Sequence, residues 1–513
     1  MPPAGHAPSN RPCNAVVLLL DSLNRHMLES YGADEFATPN LDRLAARSRR
    51  FTKHYTGALP CIPARHDILC GAWDFLWKPW GSVELWEDAI TVPLRAAGVV
   101  SQLISDHPHL FEAGGENYHT DFTAWDYQRG HESDPWKTRA DPSWAGAPQF
   151  GFQREMAYDR SRGYFRSEAD FPGPKTMAAA ARWLTENAGA HQRFFLFVDE
   201  FDPHEPFDTP QEYVARYDPD WDGPPLIWPP YMVGAVEKGV ISAREGRHIR
   251  AHYGAKLTMI DHWLGRVLDE LDARNLWDDT LVILCTDHGH YLGEKDIWGK
   301  PRSPLFEPMS HIPLYIAAPG VAPGDCDALT TSTDIFATLA DLFGVTDTIR
   351  QRTHGKSLLP LLDGTAASVR DFVLSGIWGR EVHYIDAQMK YARAPMAANA
   401  PLSMWSNRWS TMPTHGLLPK EMELPLPDAR ARLSHMPGTD VPVIRQMWDV
   451  SDNVPYWCRG RFSGNHLYDL GNDPAETENL AGTKAETQMA EALREAMKAV
   501  GAPEEQFTRL GLA

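Results

Sequence analysis

The chain has 513 residues, with 68 acidic against 49 basic side chains and a formal charge of −19. That length can bury a large core and exceeds the usual size of one domain, so one large domain with a smaller one beside it is expected. The acidic balance and the lack of any lysine- or arginine-rich run argue against a nucleic-acid partner, whose affinity needs clustered positive charge. An anionic substrate would need a locally positive pocket instead. No apolar run approaches the ~20 residues of a membrane span, and Ala15 to Leu20 is shorter than the ~7–15 residues of a signal-peptide core, so no membrane partner and a cytoplasmic location are expected. Cys13, Cys61, Cys70, Cys285, Cys326 and Cys458 are sparse and dispersed, which argues against a disulfide framework.

Ala15 to Leu20 reads as a buried parallel strand closed by Asp21-Ser22. Thr38-Pro39 can cap and open a helix through Arg47. Val99 to Ile104, Phe194 to Val198, Leu281 to Cys285 and Pro313 to Ala317 are further apolar runs leading into polar or glycine-containing loops. The alanine-rich Thr176 to Glu186 is helical in propensity. Ser242-Ala243-Arg244-Glu245 has capping-box form, and Tyr253, Leu257, Ile260, Leu264, Val267 and Leu271 mark one face of a long helix. Strand and helix alternate, which predicts an α/β, doubly wound, mostly parallel sheet with the site at the carboxyl ends of its strands.

Past Leu362-Asp363-Gly364 the segments shorten and aromatics increase. We place a catalytic domain at 1–365 and a smaller α+β subdomain at 366–513, with an irregular insertion at about 394–450. Trp405, Trp409 and Trp448 suit ordered packing there, at a subunit interface, over the site mouth or as a packed surface excursion. A homo-oligomer is expected.

Asp21 and the run Thr286-Asp287-His288-Gly289 stand at equivalent strand ends. Hard oxygen ligands with one imidazole suit Ca²⁺, Mg²⁺ or Mn²⁺, although a lone aspartate closing a strand is more often a turn former. Cys61-Ile62-Pro63-Ala64-Arg65, followed by Leu69 and Gly71, fits a C-x-P-x-R pattern. With Thr38-Pro39-Asn40-Leu41-Asp42-Arg43-Leu44, the segment Leu292 to Lys300, His354-Gly355-Lys356-Ser357-Leu358, Leu467-Tyr468-Asp469-Leu470, Asn472-Asp473-Pro474 and Glu478-Asn479-Leu480, the order and spacing resemble the type I sulfatases of the alkaline phosphatase superfamily across nearly the whole length.

That resemblance implies that a formylglycine-generating enzyme oxidises Cys61 to formylglycine, whose hydrate is the nucleophile. It implies one divalent metal ion, Ca²⁺ or Mn²⁺, held by Asp21, Asp287, His288 and the residue formed from Cys61. Arg65 would orient the hydrate, and Lys300, twelve residues beyond His288, would contact the sulfate and bridging oxygen. His204, in Asp202-Pro203-His204-Glu205-Pro206, would be the general acid near the leaving group. Aligning the shared His-Leu puts His107 in the place of a family lysine and His109 in that of a family histidine. Phe111, Tyr118 and Trp125 could wall the pocket, although aromatics there are more often core.

Many sulfatases carry two adjacent aspartates after the first strand and Asp-Asn after the later one, whereas this chain has Asp21-Ser22 and Asp287-His288. Fewer carboxylates and an extra imidazole resemble the phosphonate monoester hydrolase branch, whose enzymes bind manganese. The leading expectation is a sulfuric ester hydrolase cleaving sulfate monoesters, aryl sulfates first. The alternative is a phosphonate monoester hydrolase or phosphodiesterase with the same nucleophile. A noncatalytic anion-binding relative should have lost ligands, and an unmodified-thiol hydrolase leaves the metal ligands unexplained. Trp73, Trp77, Trp80 and Trp86 fit an aryl pocket or ordinary packing.

Overall fold

A computed structural model describes residues 12–141, 143–144, 146–148, 158–412, 426–449, 452, 458 and 464–513. Its strands in chain order are β1 (Asn14–Leu20), β2 (Arg49–Tyr55), β3 (Val100–Ser105), β4 (Ala124–Tyr127), β5 (Phe194–Glu200) and β6 (Met232–Val233). Then come β7 (Thr280–Cys285), β8 (Tyr291–Leu292), β9 (Ile297–Gly299), β10 (Tyr315–Ala317) and β11 (Gly324–Thr331). Eight of these form one sheet in the spatial order β11, β2, β10, β7, β1, β5, β3, β4.

Every residue of β1 is buried, because β5 and β7 pair with it in parallel and helices cover both faces. Successive side chains alternate across a strand. Val16, Leu18 and Leu20 therefore pack on one side with Met177, Leu257 and Leu264. Ala15, Val17 and Leu19 pack on the other with Ile62, Ile68, Ile335 and Phe336. This is the expected doubly wound sheet, with one departure: β10 runs antiparallel to both β7 and β2.

The Ala243–Ala273 helix begins at the predicted capping box, Ser242 Oγ accepting the Glu245 N–H at 3.1 Å and Glu245 the Ser242 N–H at 2.6 Å. The earlier helix spans Pro39–Ala45, and Thr38 makes no side-chain cap. Asp261 from the long helix instead accepts the N–H groups of Asn40 and Leu41 at 3.1 and 2.7 Å, so a tertiary carboxylate does the capping.

Beyond the main sheet lie β12 (Val373–Gly376), β13 (Val382–Ile385), β14 (Met389–Arg393), β15 (Leu402–Ser406), β16 (Arg432–His435), β17 (Pro442–Trp448) and β18 (His466–Asp469). β12, β13, β14 and β18 form an antiparallel sheet, and β15, β17 and β16 a second one within the segment read as irregular. Residues 413–425 and 450 of that segment lie outside the described residues. Trp448 and Trp405 are buried there, and the Trp409 ring lies 6.1 Å from that of Trp448. Among the described residues no helix is long and apolar enough to cross a membrane, and no disulfide joins the cysteines.

The Cys61–Cys70 helix ends at Gly71, whose φ of +76° is left-handed and whose added Cβ would lie 2.5 Å from the Phe336 ring. Gly71→Ala should therefore combine backbone strain of ~1–2 kcal/mol with overpacking of ~1–3 kcal/mol. Thermal unfolding should show a stability loss of about 2–5 kcal/mol; an unchanged Tm would mean that this cap is not constrained.

Candidate active site

The strand register sets three acids side by side. Leu19 of β1 pairs with Asp199 of β5 and with Cys285 of β7, so Asp21, Asp199 and Asp287 gather at the carboxyl ends of neighbouring strands. Facing them is the first turn of the Cys61–Cys70 helix. Ligand atoms of Asp21, Cys61, Asp287 and His288 all lie within 4.8 Å of one another, and all four residues are buried.

Arg65 is the cation beneath this group, 0% exposed. It binds Asp199 through two hydrogen bonds of 2.8 and 2.6 Å and reaches Asp21 Oδ2 at 3.0 Å and Asp287 Oδ2 at 3.1 Å. Its fork geometry suits two-point carboxylate binding. Arg65 therefore fixes the Asp21 and Asp287 carboxylates, with Asp199 as the anchor that sequence reasoning missed.

His288 donates its Nδ1–H to the Gly289 carbonyl at 2.8 Å, leaving Nε2 without a proton. That lone pair stands 3.6 Å from Cys61 Sγ and 3.2 Å from Asp287 Oδ2. Burial holds the imidazole down at a pKa of about 4, against the pull of Asp287. Burial and Asp287 push the Asp21 carboxyl well above the usual range. Two carboxylates and a lone pair at ligand-to-ligand spacing fit one hard or borderline divalent ion.

Ser22 follows Asp21 with a left-handed φ of +61°. Its N–H donates to Asp287 Oδ1 at 3.0 Å and its hydroxyl to Asp21 Oδ1 at 2.7 Å. Backbone strain held by such bonds is typical of functional sites. Lys300, directly after β9, donates to the Ser22 hydroxyl at 3.3 Å and to His204 Nε2. Burial opposes the Lys300 charge, but Glu205, Cys61 and the two aspartates outweigh it and raise its pKa to about 12.

His204 donates its Nδ1–H to the Glu205 carbonyl at 2.6 Å, so Nε2 accepts from Lys300. Burial and then the Lys300 charge push its pKa well below the ordinary value, so it rests neutral. His204 stacks on Phe201 at 4.2 Å, and His107 lies 4.3 Å from the same ring. Among the described residues neither ring nitrogen of His107 has a hydrogen-bond partner, and burial keeps it neutral. His109 pairs with Glu112 and, at 3.3 Å, with Glu132. Glu132 was also missed; it is buried, has a φ of +40°, and its carboxylate converges with His204 and Glu205 within 4.8 Å.

The aromatic expectations divide. Trp80 packs edge-on against His109 at 5.1 Å. Trp73, Trp77 and Trp86 belong to the core beneath the C-terminal strands, Tyr118 is core, and Trp125 is half exposed on the sheet edge. Phe111 stacks on Tyr127 at 4.0 Å.

Arg65→Met would leave Asp199, Asp21 and Asp287 without their shared cation, and breaking a buried pair costs about 3–5 kcal/mol. Thermal and urea unfolding should register that loss; a near-neutral result would show the carboxylates protonated in the native state. For His109, burial works against its charge, but Glu112 and Glu132 outweigh it and raise the pKa to about 10. A raised folded pKa stabilises fully below the ordinary histidine value of about 6.5, and that contribution is lost as pH rises through about 10. The Tm gap between wild type and His109→Gln should narrow between pH 7 and pH ~10.5; a constant gap would remove the charge from His109.

Residues 13–345 match the family model described as Sulfatase. The choline-sulfatase of Rhizobium meliloti (strain 1021) is 29% identical over 379 residues, 68% of this chain and 72% of that protein. The arylsulfatase of Clostridium perfringens (strain 13 / Type A) is 24% identical over 410 residues, 70% and 80% of the two chains. The phosphonate monoester hydrolase of Agrobacterium radiobacter shares the fold, with a TM-score of 0.63 and 20% identity across 96% of this chain and 95% of that one. The chain belongs to the sulfatase family.

Proposed function

We propose that this sulfatase hydrolyses small sulfate monoesters, aryl sulfates among them, after Cys61 is oxidised to formylglycine. The observation that carries this reading is the convergence of Cys61, Asp21, Asp287 and His288 in one buried cluster at the strand ends, on a helix that opens with C-x-P-x-R. When bound, a Ca²⁺ or Mn²⁺ ion held by these residues would withdraw charge from the ester oxygens and activate a hydroxyl. The hydrate of the formylglycine aldehyde, formed by adding water across its C=O, supplies that hydroxyl, which an ordinary cysteine lacks.

The side chains divide the remaining work. Arg65 spends its donors on Asp199, Asp21 and Asp287 and so orients the ligands. Lys300 keeps its charge and is placed to neutralise sulfate oxygens. Lys300 Nζ donates a proton toward the Nε2 lone pair of His204. His204 can take it because its other nitrogen already donates to the Glu205 carbonyl, and the pair delivers it to the departing oxygen. His107, His109 and Trp80 border the leaving-group side.

Phosphonate monoester or phosphodiester hydrolysis by the same groups is a second reading, supported by the imidazole-containing ligand set with only two carboxylates. Both readings meet one experiment. The mass of the Cys61 peptide should show the formylglycine form, and kcat/KM should be higher for 4-nitrophenyl sulfate than for 4-nitrophenyl phenylphosphonate. Choline-O-sulfate completes the panel because one relative is a choline-sulfatase. Phosphonate preference would favour the second reading. Cys61→Ala should cost at least about 1,000-fold in kcat. His204→Ala should cost about 100-fold on esters with poor leaving groups and less on 4-nitrophenyl sulfate; equal loss on both would take His204 out of proton delivery.

A further inference from the structure

His204 and Glu205 sit in the five-residue segment Asp202 to Pro206 that leaves β5. One ammonium touches both ends of it. Lys256, in the middle of the Ala243–Ala273 helix and 3% exposed, donates to Asp202 Oδ1 at 2.6 Å and to the Pro206 carbonyl at 2.6 Å. We infer that Lys256 is a positioning residue for catalysis, a clamp that closes the Asp202–Pro206 segment and fixes where His204 meets Lys300. The inference rests on the role given to His204 above.

Several contacts make the clamp rigid. His131 Nε2 donates to the same Asp202 oxygen at 2.7 Å and lies 3.4 Å from Lys256 Nζ. One turn earlier on the helix, His252 Nδ1 donates to the Phe207 carbonyl at 3.1 Å, so a single helix face holds two consecutive residues at the end of the segment. Asp202 has no room to move: a Cβ at Gly173 would lie 2.2 Å from Asp202 Oδ2. Burial raises the Asp202 pKa, but Lys256 and His131 outweigh it and keep the carboxylate ionised. A buried ammonium persists only where oxygens replace its water, and here the oxygens belong to the two ends of the segment that carries the site. A displacement of His204 by about 1 Å would misalign it with Lys300, and a misplacement of about that size can cost as much as ~100-fold in rate.

The test is a double-mutant cycle on whichever ester the wild type cleaves, comparing a phenyl with a 4-nitrophenyl leaving group. Lys256→Met should lower kcat about 10- to 100-fold on the phenyl ester with little change in KM, and alter the pH–rate profile. In a His204→Ala background the same substitution should cost less than about twofold, because the two act as one unit. Lys256→Arg should recover part of the loss by offering both oxygens a cation again. The same fractional loss with and without His204, or full activity in folded Lys256→Met, would overturn the clamp. If Lys256→Met does not fold, Asp202→Asn cuts the same link from the segment side and goes through the same cycle: loss only where His204 is present supports the clamp, and loss independent of His204 overturns it. A wild type that cleaves phosphonates but no sulfate ester would sink the sulfatase reading while leaving this cycle intact.

Discussion

Three carboxylates at the ends of adjacent parallel strands form an arrangement that Coulomb repulsion opposes, and Arg65 is the side chain that makes it tenable. Fully buried, it donates two hydrogen bonds to Asp199 and one to Asp287 and forms an ion pair with Asp21. The pairing of β1 with β5 and β7 gathers the acids at the strand ends, Asp199 lying level with Leu19, two residues before Asp21, and the helix beginning at Cys61 brings the guanidinium against them. The positions of Cys61, Asp21 and Asp287, the nucleophile and metal ligands of the proposed function, are thus set by one structural ion cluster. Such a cluster is costly to desolvate and more costly to break, so the stability of the sheet end and the geometry of the site cannot be altered independently.

Outside this centre the charges descend in a sequence. Lys300 touches Ser22 on one side and His204 on the other, and Glu205, Glu132 and His109 follow. Each cation has a carboxylate on its far side: Lys300 has Glu205 at 3.9 Å, and His109 has Glu112 and Glu132. Arg65, Lys300 and His109 thus stand among Asp21, Asp199, Asp287, Glu205, Glu112 and Glu132, so every buried cation of the cluster is held by carboxylates rather than by water.

Much of this was legible because it follows from short-range chemistry. Continuous apolar runs gave β1, β3, β5 and β7, the capping box gave the start of the long helix, and polar residues closing those strands gave Asp21 and Asp287. β2, β4 and β11 were not seen, since they lie towards the sheet edges, are partly exposed and mix charge with apolar residues. Asp199 looked like one acid among several after an apolar strand, and only the pairing of β1 with β5 shows that it faces Arg65. Glu132 lies in a polar loop with no periodic signal, and its proximity to His204 depends on a chain separation that local patterns do not encode.

The tryptophans show the opposite failure, a strong composition signal with weak positional content. Trp73, Trp77, Trp80 and Trp86 follow Cys61 closely, yet three of them fill the core below the C-terminal strands and one alone reaches His109. The cause is the left-handed turn at Gly71, which ends the Cys61–Cys70 helix and sends the chain away from the strand ends towards β12 and β13. Those tryptophans therefore tie the C-terminal sheet to the segment leaving the Cys61–Cys70 helix. The site depends on this packing indirectly, through the fixed end of the helix that carries both Cys61 and Arg65.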